Sequence, residues 1–211
     1  MSEQETLRLV LQRIPAASSA AEQHRLAHQL LEQVLQEQGI APPYALQKGE
    51  HGKPFLVHHP NMQINLSHCK EAVLCGVSNM PLGVDVEANR PFRERVMRRV
   101  LTEAEQQTVM QAEEPALPFL RFWTLKESFV KALGIGISYP MRQISFSQLQ
   151  PVQQAAAVCE VQEKDGTVCV PMAEYSAEGA GAGYRFFQCV LAEELVVSAC
   201  VRRVAADSPP A

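Results

Sequence analysis

A long helical pattern in the second half of the chain is the feature that most constrains the fold. Between residues 117 and 133, apolar and aromatic side chains recur at spacings of three and four, as on one side of an α-helix. Gly134 and Gly136 come directly after this pattern, where glycine commonly ends a helix. The pattern therefore predicts a helix of about five turns.

Two further helices are predicted from repeats and capping residues. Residues 20–38 carry apolar side chains at intervals of four, and either Ser18 or Ser19 can cap the start. Thr102 followed by Glu105 has the form of a capping box, in which each side chain bonds the backbone of the other residue. These signals predict one helix in the first half of the chain and a second one shortly before the long helix.

Runs of alternating or apolar residues predict strands in both halves of the chain. The predicted strands cover residues 62–66, 72–77, 82–87, 144–149, 155–161, 184–191 and 195–201. Separate runs of helices and strands are typical of the α+β class. Helices and strands occur in both halves, which allows a pseudo-duplicated protein, although no sequence repeat proves a duplication; the two halves are predicted to be residues 1–95 and 96–204. Residues 205–211 are predicted to be a disordered tail.

Three carboxylates stand out in two of these elements. Asp85 and Glu87 alternate with valines on a predicted strand, so both side chains point to the same face. Glu127 lies on the long predicted helix, between Lys126 and Lys131. Three carboxylates suit a hard cation such as Mg²⁺, and two lysines suit a phosphate. Each motif alone also fits a solvated strand face or a surface Glu–Lys pair, so a shared site requires the fold to bring them together.

Two weaker polar motifs lie in the first half of the chain. Ser67 and His68 end a predicted strand and can present a hydroxyl and an imidazole to a phosphate or a base. Lys53 and Pro54 lie in a turn-rich loop, which can form an anion site with a lysine beside a flat apolar ring. Taken singly, both motifs are more often structural than functional.

The charge, hydropathy and cysteine content of the chain argue against nucleic-acid binding, a membrane span and secretion. The net charge is −4, so no global positive field attracts nucleic acid. No segment reaches the ~18 consecutive apolar residues of a membrane span, and the acidic N-terminus is unlike a signal peptide. Six cysteines without a Cys-x-x-Cys pair favour reduced, mostly structural thiols in a cytoplasmic protein. Five arginines nevertheless cluster where they can dock an acidic or phosphorylated partner: Arg90, Arg93, Arg95, Arg98 and Arg99.

Taken jointly and in order, four motifs resemble those of the Sfp-type 4′-phosphopantetheinyl transferases. They are Gly-Lys-Pro at 52–54, Asn-Leu-Ser-His at 65–68, Gly-Val-Asp-Val-Glu at 83–87 and Trp-x-x-Lys-Glu-x-x-x-Lys-x-x-Gly-x-Gly at 123–136. The resemblance spans residues 20–202 and implies two similar α+β halves with the active site between them. It also implies a Mg²⁺-dependent enzyme that moves the phosphopantetheine arm of coenzyme A onto a carrier-protein serine and releases 3′,5′-ADP.

The resemblance implies a role for each matched residue. Asp85, Glu87 and Glu127 would bind Mg²⁺, and Glu127 would also act as the base for the carrier serine. Lys126 and Lys131 would contact the pyrophosphate. The adenosine and 3′-phosphate end of coenzyme A would meet Lys53, Pro54, Ser67 and His68. Relatives often carry an arginine in the first helix for the 3′-phosphate; the matching position here is His28, and Arg25 lies one turn earlier.

Three hypotheses of function follow. The first is a monomeric transferase whose partner is an apo acyl or peptidyl carrier protein of fatty acid, polyketide or nonribosomal peptide synthesis. It predicts that some of the later arginines meet an acidic carrier helix: Arg93, Arg95, Arg98 and Arg99. The second is a Mg²⁺-dependent nucleotide phosphohydrolase, which would hydrolyse coenzyme A without a carrier. The third is a carrier-binding module without activity, which would bind a carrier but transfer nothing.

Overall fold

One eight-stranded sheet organises the part of the chain that the computed structural model describes, residues 6–136, 138–146, 149–192 and 195–203. The strands are β1 (Leu7–Arg13), β2 (Leu46–Lys48), β3 (Pro54–Leu56), β4 (Gln63–His68), β5 (Ala72–Ser78), β6 (Leu82–Ala88), β7 (Ile144–Ser145), β8 (Gln153–Glu163), β9 (Gly166–Tyr175), β10 (Glu178–Gly179), β11 (Tyr184–Val190) and β12 (Leu195–Arg202). The helices are α1 (Ala20–Glu37), α2 (Glu94–Val100), α3 (Glu103–Gln111) and α4 (Ala116–Leu133), with a 3-10 turn at Met141–Gln143. The class is α+β, as predicted.

The strand order of the large sheet mixes the two halves of the chain. The order is β4-β5-β1-β8-β9-β11-β12-β6, with β1 and β8 parallel and the other neighbours antiparallel. β6 comes from the first half but pairs with β12, near the end of the chain. The predicted boundary between residues 95 and 96 falls inside α2. The division into two similar halves stays a prediction.

The two ends of this sheet, β4 and β6, are joined by side chains. The Val84 N–H donates to Asn65 Oδ1 at 2.8 Å, and the Val86 N–H donates to Ser67 Oγ at 3.3 Å. On its other edge, β6 pairs with β12. From the first of these hydrogen bonds to the second, the donor on β6 and the acceptor on β4 each advance by two residues. The side chains of β4 thus take the place of backbone hydrogen bonds between the strands, and they satisfy buried N–H groups that would otherwise lack partners.

Two long helices pack on this sheet and were predicted closely. α1 begins where Ser19 accepts a hydrogen bond from the Glu22 N–H, and its buried face contacts β4 and β5. α4 packs on β6 and β12 and ends at Gly134, whose φ is +69°. The capping box of Thr102 and Glu105 is present at the start of α3. None of the described helices combines the length and hydropathy needed to cross a membrane.

Several elements were not predicted. β1 lies between β5 and β8, and its central residues are buried on both faces, so it shows no alternation of apolar and polar residues. β9 and the seven-residue α2 were also missed. The strand predicted at 144–149 is shorter, since β7 covers Ile144–Ser145, and residues 147 and 148 lie outside the described residues. The predicted tail, 205–211, also lies outside them. All six cysteines are free thiols, and five are buried.

Candidate active site

β6 and α4 lie against each other and place the three predicted carboxylates at one interface. The Lys131 Nζ lies 2.6 Å from Asp85 Oδ1. Eight residues earlier on the helix, the Trp123 side chain lies near Glu87 and acts to lower the pKa of that carboxylate, against the larger effect of burial. Glu127 lies one helical turn from each of these two helix residues, and the charges of both Asp85 and Glu87 raise its pKa. Glu127, midway along the helix, therefore faces the strand carboxylates.

The close approach of these two elements depends on Gly83. A Cβ atom at this position would overlap the Ser128 carbonyl oxygen and the Ala132 amide nitrogen, and would lie 2.9 Å from the Lys131 carbonyl carbon. The backbone of β6 therefore rests directly on the backbone of α4. Glycine is needed here for space, because any side chain would force the strand and the helix apart.

Ser67 belongs to the same cluster. Its Oγ donates to Asp85 Oδ1 at 2.9 Å and accepts a hydrogen bond from Lys131 Nζ at 2.9 Å. Ser67, Asp85 and Lys131 thus form a closed polar triangle supplied by β4, β6 and α4. The other predicted strand residue, His68, lies beside it with Nδ1 3.1 Å from the Oε1 atom of Gln23.

The carboxylates of this cluster lack enough hydrogen-bond partners. Asp85 Oδ2 and Glu127 Oε1 are buried without a partner in the described structure. Burial, together with the charges of Asp85 and Glu87, raises the pKa of Glu127 to about 7 despite the opposing effect of Lys131. Burial and the charge of Asp85 likewise raise the pKa of Glu87. Crowded, unsatisfied anions of this kind are stabilised by a cation.

No preformed metal cage is present among the described residues. No group of three or more acidic, histidine or cysteine side chains is arranged to hold a metal ion. The Lys131 ammonium instead balances the charge of Asp85. The donor set and the two unpartnered oxygens are nevertheless the chemistry that a hard divalent cation requires.

A cavity of about 290 Å³ opens beside Glu127 and Lys131. Lys53 and Pro54 line it, so the loop predicted as an anion site does reach the carboxylate cluster. The Lys53 Nζ donates to the Leu82 carbonyl at 2.8 Å and to the Ala132 carbonyl at 3.1 Å. Burial lowers the pKa of Lys53 to about 8. Two of its three protons are used, which leaves one for a ligand in the cavity.

A second cavity, of about 370 Å³, lies on the other side of the cluster and contains His68 and Glu87. Burial, with the neighbouring charge of Lys131, lowers the pKa of His68. Arg25 and His28 line neither cavity. Arg25 is exposed and bonds Gln29, while burial and the nearby His24 lower the pKa of His28.

Comparisons with known proteins find similarity in the segment that carries this cluster. Residues 81–178 match the 4′-phosphopantetheinyl transferase superfamily. This segment contains β6 and α4, and therefore all three carboxylates. The match covers 98 of the 211 residues, so the chain is similar to this superfamily over a little under half of its length.

Relatives within the superfamily align over part of their length. A 4′-phosphopantetheinyl transferase of Bacillus subtilis is 33% identical over 99 residues, which cover 46% of this chain and 44% of the relative. The transferase Sfp of Bacillus subtilis (strain 168) is 31% identical over 125 residues, 55% of this chain and 56% of that protein. A mouse L-aminoadipate-semialdehyde dehydrogenase-phosphopantetheinyl transferase is 31% identical over 117 residues, 48% and 38%. The chain thus spans about half the length of the curated relatives it matches.

One predicted site residue lies away from its predicted ligand. Lys126 was expected to contact a pyrophosphate, but it is fully buried. Its Nζ donates to the Glu105 carboxylate and to the carbonyls of Val100 and Met141. The predicted contact does not agree with this position, because no proton of the ammonium remains for a ligand.

Two residues that contact the site, Asn65 and Gln23, were not recognised as site residues from the sequence. Asn65 was quoted only as part of a motif, yet its side chain joins β4 to the strand that carries Asp85. Its spacing of two from Ser67 is the signal that could have identified a shared role on one strand face. Gln23, which contacts His68 from α1, has no such signal, since the contact spans 45 residues of sequence.

Proposed function

We propose that this protein transfers the 4′-phosphopantetheine arm of coenzyme A to a serine hydroxyl of an apo carrier protein, with Mg²⁺, and releases 3′,5′-ADP. The observation that carries the proposal is the cluster of Asp85, Glu87 and Glu127, with two unpartnered oxygens, inside the segment that matches the superfamily. The three residues come from β6 and α4, which pack together through Gly83.

The same three carboxylates would hold the metal. Asp85 Oδ2 and Glu127 Oε1 have no hydrogen-bond partner among the described residues, and carboxylate oxygens are the donors that Mg²⁺ prefers. When bound, Mg²⁺ supplies positive charge that stabilises the pyrophosphate oxygens of the co-substrate. Lys131, which is part-buried at the mouth of the cluster, would contact these oxygens from the helix.

The transfer needs one base and no nucleophile from this chain. The carrier serine oxygen forms a bond to the phosphorus of the pantetheine phosphate, and the bond from that phosphorus to the bridging oxygen breaks. The leaving group is 3′,5′-ADP, which takes that oxygen and its electron pair. Glu127 would accept the serine proton, since its carboxylate lies beside the cavity and faces the strand carboxylates that would hold the metal.

Coenzyme A would lie along the two cavities that flank the cluster. Lys53 offers one remaining proton to a phosphate, and Pro54 offers a flat apolar surface to the adenine. His68 would contact the 3′-phosphate from the other cavity, with Arg25 or His28 of α1 as further contacts. Ser67 would act mainly through Asp85, because its hydroxyl already bonds that carboxylate.

The carrier would dock on α2 and the groove beside it. Arg95, Arg98 and Arg99 lie on the exposed face of α2, since Met97 and Val100 on the opposite face are buried. A groove of about 470 Å³, lined by both arginine and apolar side chains, adjoins this helix. The groove residues are Arg90, Pro91, Phe92, Arg93, Val96, Phe119, Leu120 and Trp123. An acidic helix with apolar side chains is complementary to this surface.

Charge reversal on α2 is expected to weaken carrier binding alone. Changing Arg95 and Arg99 to glutamate should raise the KM for the carrier by about tenfold or more at low salt, because like charges repel an acidic helix. The KM for coenzyme A should change by less than about twofold, since neither arginine lines the cavities beside the carboxylates. Steady-state kinetics with each substrate varied in turn measures both values.

Lys164 provides the control for this experiment. It is exposed in the turn between β8 and β9, and Lys164→Glu reverses one charge away from α2, which is half of the change made in the double arginine variant. An unchanged KM for the carrier in the arginine variant, or an equal rise in the lysine variant, would place the carrier elsewhere.

The proposed function is tested by labelling apo carrier proteins with a fluorescent coenzyme A. We expect transfer that requires Mg²⁺ and stops when EDTA is added, with one label per carrier and 3′,5′-ADP as the product. A carrier with its acceptor serine changed to alanine is the control. Hydrolysis of coenzyme A at the same rate without a carrier would instead indicate a phosphohydrolase, and carrier binding without transfer would indicate an inactive module.

A further inference from the structure

A buried ion pair on another side of α4 takes no part in the proposed reaction. The Lys126 Nζ donates to Glu105 Oε2 at 2.6 Å, to the Val100 carbonyl at 3.0 Å and to the Met141 carbonyl at 3.2 Å. Both charged side chains are fully shielded from solvent. An ammonium group has three protons, so its hydrogen-bonding capacity is completely used inside the protein.

Both oxygens of the Glu105 carboxylate also accept hydrogen bonds inside the protein. Its Oε1 atom accepts the Phe146 N–H at 2.9 Å, and Oε2 accepts the Thr102 N–H at 2.7 Å as well as the Lys126 proton. One carboxylate therefore ties the start of α3 and the segment after β7 to the middle of α4. Removing one member of such a pair leaves an uncompensated buried charge, which is strongly unfavourable.

This attachment sets the rotation of α4 about its own axis. Lys126 and Glu127 are consecutive residues, and consecutive side chains on an α-helix are about 100° apart. If Lys126 is held toward Glu105, Glu127 must point toward β6, where Asp85 and Glu87 lie. The carboxylate cluster is therefore oriented from two sides: by Gly83 at the strand and by Glu105 behind the helix.

We propose that Glu105 is a positioning residue, which holds Lys126 inside the protein and thereby directs Glu127 to the metal and the carrier serine. The inference rests on the proposed function, since it assigns those roles to Glu127. It also gives Lys126 a role in place of a phosphate contact. A lysine that bound pyrophosphate would have to leave three acceptors and strand the Glu105 charge in the interior.

The test uses a conservative variant and a charge-free double variant. Glu105→Asp keeps the charge but withdraws it by one methylene, so Lys126 must follow and α4 must turn. We expect kcat to fall by about tenfold to a hundredfold, while the KM for coenzyme A stays within about threefold, because misplacement of a reacting group by ~1 Å has effects of this size. Glu103→Gln, on the same helix and exposed, is the matched control.

Metal binding supplies a readout that simple destabilisation does not change. Binding of Mn²⁺ to the folded protein, followed by electron paramagnetic resonance without a carrier, should be weakened at least about fivefold in Glu105→Asp, since Glu127 would be a misdirected ligand. The Glu127→Gln variant shows how far Mn²⁺ binding falls when that ligand is lost completely. This measurement does not depend on turnover. Absence of transfer by the wild type would contradict the proposed function, but Mn²⁺ binding by Glu105→Asp and by the wild type could still be compared.

The double variant decides between positioning and phosphate binding. In Glu105→Gln with Lys126→Met neither buried charge remains, so the protein is expected to fold even if each single variant does not. Its KM for coenzyme A should stay within about threefold, and its kcat should be no lower than that of the worse single variant, because the two residues act as a unit. A tenfold or greater rise in that KM would overturn the inference. So would wild-type kcat and Mn²⁺ affinity in Glu105→Asp.

Discussion

Replacing Glu127 by glutamine is expected to lower the rate of transfer by about two to four orders of magnitude and also to stabilise the protein in the absence of metal. The loss of rate follows from removing a metal ligand and the proposed base in one step. The gain in stability follows from the surroundings of the carboxylate, which is buried near Asp85 and Glu87 and has one oxygen without a partner. Glutamine removes the charge at nearly constant volume.

The sign of the stability effect depends on pH. The pKa of Glu127 is raised from 4.5 to about 7 in the folded protein, so the folded state holds the proton more tightly than the unfolded state. The free energy of unfolding therefore falls as pH rises from 4.5 to 7. Above pH 7 the charged carboxylate costs about 3 kcal/mol, which the glutamine variant recovers. Below pH 4.5 both states are protonated and the difference disappears.

Urea unfolding without metal at pH 8 and at pH 4.5 measures this effect, and carrier labelling measures the rate. Glu113→Gln is the control, because Glu113 is exposed and should change neither quantity. Mg²⁺ with coenzyme A should stabilise the wild type more than the Glu127→Gln variant. Transfer at a near wild-type rate, or equal destabilisation of the variant at both pH values, would contradict the role given to Glu127.

Replacing Gly83 by alanine is expected to abolish transfer and to destabilise the protein by about 3 kcal/mol or more. The added methyl group would overlap backbone atoms of Ser128 and Ala132, which cannot rotate away as a flexible side chain can. The strand and the helix must then separate. Because Asp85 and Glu127 lie on opposite sides of this contact, separation also moves the proposed metal ligands apart.

Gly183→Ala isolates the effect of this contact from the general effect of replacing glycine. A Cβ at Gly183 would meet no atom of the described residues within 4 Å, so we expect wild-type stability and activity. Urea unfolding gives the stability of both variants, and Mn²⁺ binding gives the state of the carboxylate cluster in whatever fraction is folded. A Gly83→Ala variant with wild-type stability and Mn²⁺ affinity would show that β6 and α4 need not be in direct contact.

The long helices and the capping residues could be predicted from the sequence because their signals are local. Apolar residues three and four positions apart define the buried face of α4, and Gly134 ends it in the left-handed region. The same holds for the shared face of Asp85 and Glu87, which follows from alternation along a strand. β1 had no such signal, since a central strand is buried on both faces.

The contacts that complete the site are long-range and left no local signal. Ser67 and Asp85 are 18 residues apart, and Ser67 and Lys131 are 64 apart. These contacts form because β4 and β6, the two edge strands of one sheet, lie next to each other. No pattern within either strand indicates this pairing. Residue type therefore predicted the chemistry at these positions but not the partners.

Lys126 and Lys131 show most clearly what the sequence determined and what only the tertiary structure decided. The sequence alone determined that two lysines flank a glutamate on one helix, and that carboxylates and ammonium groups of this kind suit a metal and a phosphate. Only the tertiary structure decided that Lys131 meets Asp85 whereas Lys126 is buried against Glu105. The physical reason is that helix periodicity sets the angle between the two lysine side chains, while packing of the helix against β6 and α3 decides which of the two faces the site.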